Sequence, residues 1–199
     1  MKKLFGILCV AAITATALSF NGNEISDFET QNTVDVASSY VSWNGSKLDK
    51  QTGKQKVHIG RVAIKDAKVK MNGSTPEALA VTVDLKNIQN ADLSGDLASQ
   101  LITHLKSVDF FDVSVFPDAT FSATKITKLT NQKFDFEIEG NIKIKGVSKP
   151  ITVQGHIVSD KGKKLLETEA FYLNGEEFGF IKPNQDYNDV VLRLQLYVD

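Results

Sequence analysis

Three histidines, His58, His104 and His156, are the side chains best suited to acid–base or metal chemistry in this chain. Each stands far from the others in sequence, and none belongs to an H-E-x-x-H pair or another short ligand spacing. The one cysteine, Cys9, lies inside an apolar amino-terminal run, so the rest of the chain has no thiol for a nucleophile, a disulfide or a metal. Nucleophile-elbow, phosphate-loop and dinucleotide-binding glycine patterns are missing. Aspartates and glutamates fall mostly on the polar side of alternating segments, which reads as a solvated face rather than an acid/base pair. Asn44-Gly45-Ser46 and Asn72-Gly73-Ser74 match the glycosylation tripeptide, but asparagines in turns explain both equally well. The expectation is a protein that is not an enzyme, with no catalytic residue and no metal site.

Charge and composition narrow the classes further. The 199 residues carry 23 basic and 24 acidic side chains, so no cationic footprint for nucleic acid exists. A 42% hydrophobic content excludes a wholly disordered chain. Lys2 and Lys3 precede an apolar run over 4–13 and then Ala15-Thr16-Ala17, the pattern of a secretory signal peptide. That run is too short to cross a membrane as a helix. The expected organisation is a signal peptide over 1–17, a polar flexible leader over 18–33, and one domain over 34–198. No transmembrane segment is expected in the mature chain, and its address is periplasmic or otherwise exported.

What must position any site is a set of strands, because the dominant period from Val34 onward is two. Over 134–146, Phe134, Phe136, Ile138, Ile142 and Ile144 share one parity, with Gly140 between them. Asp135, Glu137, Glu139, Asn141, Lys143 and Lys145 hold the other, so this reads as one long strand with an apolar and a charged face. Gly140 keeps the apolar face open for a bend or a close approach. Val190, Leu192, Leu194, Leu196 and Val198 repeat the pattern near the carboxyl end, as do Leu79, Val81, Val83 and Leu85. Further strands are expected over 34–43, 57–64, 68–71, 120–129, 151–158 and 165–173. Asn72-Gly73 and Asp160-Lys161-Gly162 are hairpin turn signals. Only Leu97, Leu101, Leu105 and Val108 recur at helical spacing, predicting a short amphipathic helix over 97–106 started by Asp96 or Ser94. Long consecutive antiparallel strands favour an all-β barrel over a sandwich, since closure removes exposed edges. An eight-stranded barrel can be packed solid or can hold one small ligand, and periodicity leaves that choice open.

The segment from His104 to Val113, His-Leu-Lys-Ser-Val-Asp-Phe-Phe-Asp-Val, continued by Phe116-Pro117 and Phe121, resembles the signature of the YceI-like family of exported lipid-binding proteins. Gly140 to Pro150, His58-Ile59-Gly60 and Phe178-Gly179 match further family motifs, and the resemblance covers about 34–198. It implies an extended eight-stranded antiparallel up-and-down barrel, similar to lipocalins, with one short helix. It also implies a hydrophobic tunnel for a polyisoprenoid or other long amphiphile.

Taken together, these readings predict a carrier or storage protein that shields an oily guest. Phe134, Phe136, Ile138, Ile142 and Ile144 are expected to line the tunnel with Phe121, and Leu192, Leu194 and Leu196 to face them. Tyr40 and Trp43 are expected at the mouth, since such rings have one wet end. The expected partner is a hydrophobic small molecule, a polyisoprenoid or quinone-like lipid, with no other cofactor and with a homodimer as an allowed assembly. The alternative is a solid barrel serving as a structural or stress-response interaction module.

Overall fold

The computed structural model describes residues 31–130, 133–183 and 189–199. The expected signal peptide and most of the expected leader lie outside the described residues. Among the described residues nine strands and one helix follow in order: β1 (Val34–Asp49), β2 (Lys54–Asn72), β3 (Thr75–Asn90), α1 (Gly95–Lys106), β4 (Asp118–Lys128), β5 (Phe136–Ile144), β6 (Val147–Asp160), β7 (Lys163–Thr168), β8 (Phe171–Leu173) and β9 (Val190–Val198). Each strand pairs antiparallel with the next from β1 through β7, β7 pairs with β9, and β9 closes on β1. β8 pairs along the same side of β9, so β7 and β8 act as one interrupted strand. The result is a closed eight-stranded up-and-down barrel with one short helix. At the interruption the hydroxyl of the buried Thr168 accepts the Leu194 N–H at 3.0 Å, replacing a lost ladder bond.

Strand boundaries follow parity and its breaks. Phe136, Ile138, Gly140, Ile142 and Ile144 of β5 are all buried, as alternation requires. The strand starts at Phe136 rather than at Phe134. The separate runs expected over 57–64 and 68–71 belong to one strand, β2, whose register with β3 shifts at Val62/Ala63 and again at Ile64/Asp66. Val62 and Ile64 face inward before that irregularity and Val69 after it, so the inward parity changes from even to odd. A bulge adds one residue and turns the following side chains to the other face, which looks in sequence like a gap between strands. β3 does the same between Leu85 and Ile88, both buried.

The helix begins two residues before its predicted start, with Ser94 at the cap position but making no side-chain capping bond. His104 and Lys106 fall in its last turn, where positive character suits the exposed carbonyls. Lys145 and Gly146 turn β5 into β6 with φ of 48° and 79°. Those values suit the tight two-residue hairpin that matches strand twist.

The interior has two layers. At one end Val69, Phe136, Leu166, Leu196 and Val198 are each 0% exposed and packed together. At the other, residues of α1 and of the segments following α1 and β8 close over the barrel, with Leu105, Phe110, Phe178, Phe180 and Ile181 buried.

Candidate functional site

Between the packed end and the covered end lies an internal cavity of about 160 Å³. Val41 and Trp43 of β1, Leu79 and Val81 of β3, Ile138, Ile142 and Ile144 of β5, and Leu192 and Leu194 of β9 contribute to its wall. Among the described residues, Thr120 and Thr168 supply the only side-chain hydroxyls, and no charged residue lines it. Along β5 the wall runs from Ile138 to Ile144, about 20 Å at 3.3 Å per residue. A cavity of roughly this size with aliphatic and aromatic walls stays dry and accepts apolar molecules.

Two wall rings occupy space that only glycine leaves. A Cβ on Gly60 would stand 2.5 Å from the Trp43 ring, and one on Gly140 would stand 2.5 Å from the Phe121 ring. Each aromatic therefore lies flat on the neighbouring strand instead of projecting across the cavity. Gly140 shows the close approach expected from its place in the strand. The Trp43 Nε1–H is buried without an acceptor, a cost of about 1–3 kcal/mol that its packing must offset.

The covered end is held by specific polar bonds. Phe110 and Phe111 meet edge to face at 4.8 Å between ring centres, and Phe180 stands 5.0 Å from Phe111 and 5.4 Å from Phe110. All three rings roof the cavity. Lys145 Nζ donates to the Phe110 carbonyl at 2.7 Å and to the Gly179 carbonyl at 3.1 Å, joining the two covering segments. Lys182 adds an ion pair to Asp109 at 2.7 Å, and its hydrogen bond holds the Asp109 carboxyl below the usual range.

Of the residues expected in the tunnel or at its mouth, Phe121, Ile138, Ile142, Ile144, Leu192 and Leu194 lie on the cavity wall, as does Trp43, the expected mouth residue. Four others lie elsewhere. Phe136 and Leu196 have the inward parity but belong to the packed end, where Phe136 lies against Gly155. Phe134 precedes β5 and stacks outside the cavity on His156, with ring centres 5.6 Å apart. Tyr40 is three residues from Trp43, and an odd separation in a strand puts two side chains on opposite faces. Its ring lies under the Arg61 guanidinium at 4.0 Å, in an outer groove shared with Tyr197.

The roof residues Phe110, Phe111 and Phe180 lie in segments with no period to read, and the helical period that marks Leu105 as apolar does not say what it covers. Ile151 and Val153 of β6 also line the cavity; their odd parity was the available signal. The histidines stay apart. His58 Nδ1 lies 2.8 Å from Asp92, His156 lies 3.3 Å from Glu167, and His104 packs near Phe110. Burial pushes the Asp92 carboxyl up, but bonds from the Ile59 N–H, His58 and Asn90 outweigh it and hold the group below its ordinary value. Among the described residues no three His, Cys, Asp or Glu side chains converge as a metal site would require.

A closed antiparallel meander around an apolar cavity, roofed by a helix and two loops, defines a lipocalin-like barrel. The YceI-like domain family matches residues 33–198, and the chain belongs to that family. A UPF0312 protein of Azotobacter vinelandii is 33% identical over 95 residues, covering 48% of this chain and 46% of that protein. Protein YceI of Salmonella arizonae is 36% identical over 55 residues, 28% of this chain and 27% of that protein. The matches thus span about a quarter to a half of those curated relatives. Among solved structures, BcnA of Burkholderia cenocepacia superposes with a TM-score of 0.63 at 20% identity, covering 84% of this chain and all of that one. A polyisoprenoid binding domain from Saccharophagus degradans, implicated in plant cell wall breakdown, gives a TM-score of 0.55 at 9% identity, covering 83% of this chain and 96% of that one. At these identities the likenesses show the fold. Among the described residues no helix is long and apolar enough to cross a membrane.

Proposed function

We propose that this protein is a non-enzymatic exported binding protein that holds a polyisoprenoid, a quinone-like lipid or a similar long-chain amphiphile in its barrel, for transport or storage. The observation that carries this reading is the cavity itself, walled by apolar side chains with no charged one among the described residues. Burial there favours a hydrocarbon by about 0.8 kcal/mol per methylene, so roughly ten methylenes contribute about 8 kcal/mol before the cost of association. The polyisoprenoid binding domain of Saccharophagus degradans shares the fold, which supports the guest class. Trp43, Phe121, Ile138, Ile142, Ile144, Leu192 and Leu194 would contact the guest, with Phe110, Phe111 and Phe180 closing over it.

Organic extraction of protein purified from its native host, followed by mass spectrometry, tests the proposal. A long-chain amphiphile in near-stoichiometric amount is expected. Repeated recovery of empty protein that also refuses such compounds in solution overturns it. Intact mass of the same sample checks export processing, with removal of residues 1–17 as the expected result.

A further inference from the structure

We propose that Phe136 is the floor of the cavity and sets the length of the guest, a single acyl or prenyl chain of about a dozen backbone carbons lowered methyl end first. The inference rests on the guest-binding reading and sharpens it.

The boundary between void and packed core falls at one level on three strands. On β5 Ile138 lines the cavity and Phe136 does not. On β9 Leu194 lines it and Leu196 does not, and on β7 Thr168 lines it and Leu166 does not. The members of each pair stand two positions apart and are buried alike, so the change is one of filling and not of direction. Phe136, Leu166 and Leu196, below the boundary, are each 0% exposed. Among the described residues Phe136 is the one aromatic in the buried core of that cluster and the bulkiest of the fully buried side chains. Its ring finds room because the residue paired with it is Gly155, where a Cβ would stand 2.6 Å from the ring. Val153, the inward neighbour of Gly155 along β6, lines the cavity, so the ring takes up the space immediately beneath that wall.

The wall above this floor is short. From Ile138 to Ile144 β5 runs about 20 Å, and strands of a barrel tilt by about 35–45°, so the height to the roof is about 15 Å. A carbon–carbon bond of about 1.5 Å advances an extended chain by about 1.25 Å, so about twelve carbons span that height. About three isoprene units supply the same number of backbone carbons. The floor side chains Phe136, Leu166 and Leu196 offer a polar end no partner, and burying it there unpaired is costly. The methyl end therefore goes down and the polar end stays at the roof, beside Phe110 and Phe180. A longer chain gains no further burial, and its surplus remains outside the roof.

The test is displacement of the fluorescent fatty acid cis-parinaric acid from the delipidated full protein by saturated fatty acids of eight to eighteen carbons. Affinity should rise about fourfold per methylene and level off near about twelve carbons. Phe136→Ala lowers the floor by about 5 Å along the barrel, so the levelling point should move up by about four carbons. Ile138→Phe raises the floor, and the point should move down by about as much. If Phe136→Ala does not fold, Phe136→Leu should shift the point upward by a smaller step, and Ile138→Phe reports the opposite direction. Affinity that keeps rising to eighteen carbons, or a levelling point that stays put in the variants at both positions, overturns the assigned floor and leaves guest binding standing. Refusal of cis-parinaric acid and of every acid in the series overturns both readings.

Discussion

The same substitution at two valines separates free space from packed core. Val153 and Val69 belong to the same buried cluster, at 3% and 0% exposed, but Val153 also lines the cavity and Val69 does not. Val69→Phe must push its neighbours apart, which costs about 1–3 kcal/mol and lowers the melting temperature by roughly 2–12 °C in a domain of this size. Val153→Phe instead extends into a cavity of about 160 Å³, so guest-free protein should melt within about 2 °C of the parent. The added ring would displace about four methylenes of guest, roughly 3 kcal/mol, or about a hundredfold in affinity. Thermal unfolding of delipidated protein and titration with cis-parinaric acid measure the two effects. Delipidation is needed because a bound guest raises the melting temperature by itself. If Val153→Phe destabilises as much as Val69→Phe and leaves cis-parinaric acid affinity unchanged, the space is not there and the argument from the cavity fails.

Thr168→Val keeps shape but orphans the Leu194 N–H at the break between β7 and β8. Urea unfolding should show a loss of about 1–3 kcal/mol, and exchange of the Leu194 amide should accelerate. Gly140→Ala would bring its Cβ to 2.5 Å from both the Phe121 ring and the Ser122 carbonyl. A loss of about 1–3 kcal/mol is expected, with partial recovery in the Gly140→Ala, Phe121→Leu double variant because only the ring can yield. Lys145→Asn suits the positive φ of the turn but cannot reach Phe110 and Gly179, so guest release followed by stopped-flow fluorescence should quicken by about tenfold with the fold retained. The hydrogen bond from Lys163, with help from Ser38, lowers the Asp35 pKa from 3.8 to about 2. Its stabilising effect is therefore complete above the unfolded value and is lost as pH falls through about 2. In Lys163→Gln a carboxyl NMR titration should move back toward 3.8, and no movement would sever the assigned cause.

Alternation along β5 and β9 was legible because each side chain's face in a strand depends on position alone. The helix between β3 and β4 and the hairpin at Lys161-Gly162 followed from equally local rules. Where a bulge intervened, local rules failed: β2 looked like two strands because its inward parity flips near Lys65 and Asp66. Tyr40 and Trp43 are chemically alike, but their odd separation along β1 sends them to opposite faces. The segments carrying Phe110 and Phe180 have no period, so their meeting over the barrel was invisible until the chain was folded.

Within unbroken strands such as β5 and β9, the sequence by itself determined which side chains turn inward, and hence that this chain closes an apolar interior within strands. Only the tertiary structure decided how that interior is filled. Phe136 and Leu196 share the inward parity of Ile142 and Leu192, yet the first two meet neighbours and the second two border a void. Facing is a property of one strand, whereas filling depends on the volumes of residues brought together from opposite walls. Rings laid flat on glycines of adjacent strands, as Phe121 on Gly140, set those volumes, and no linear period records which residues will meet.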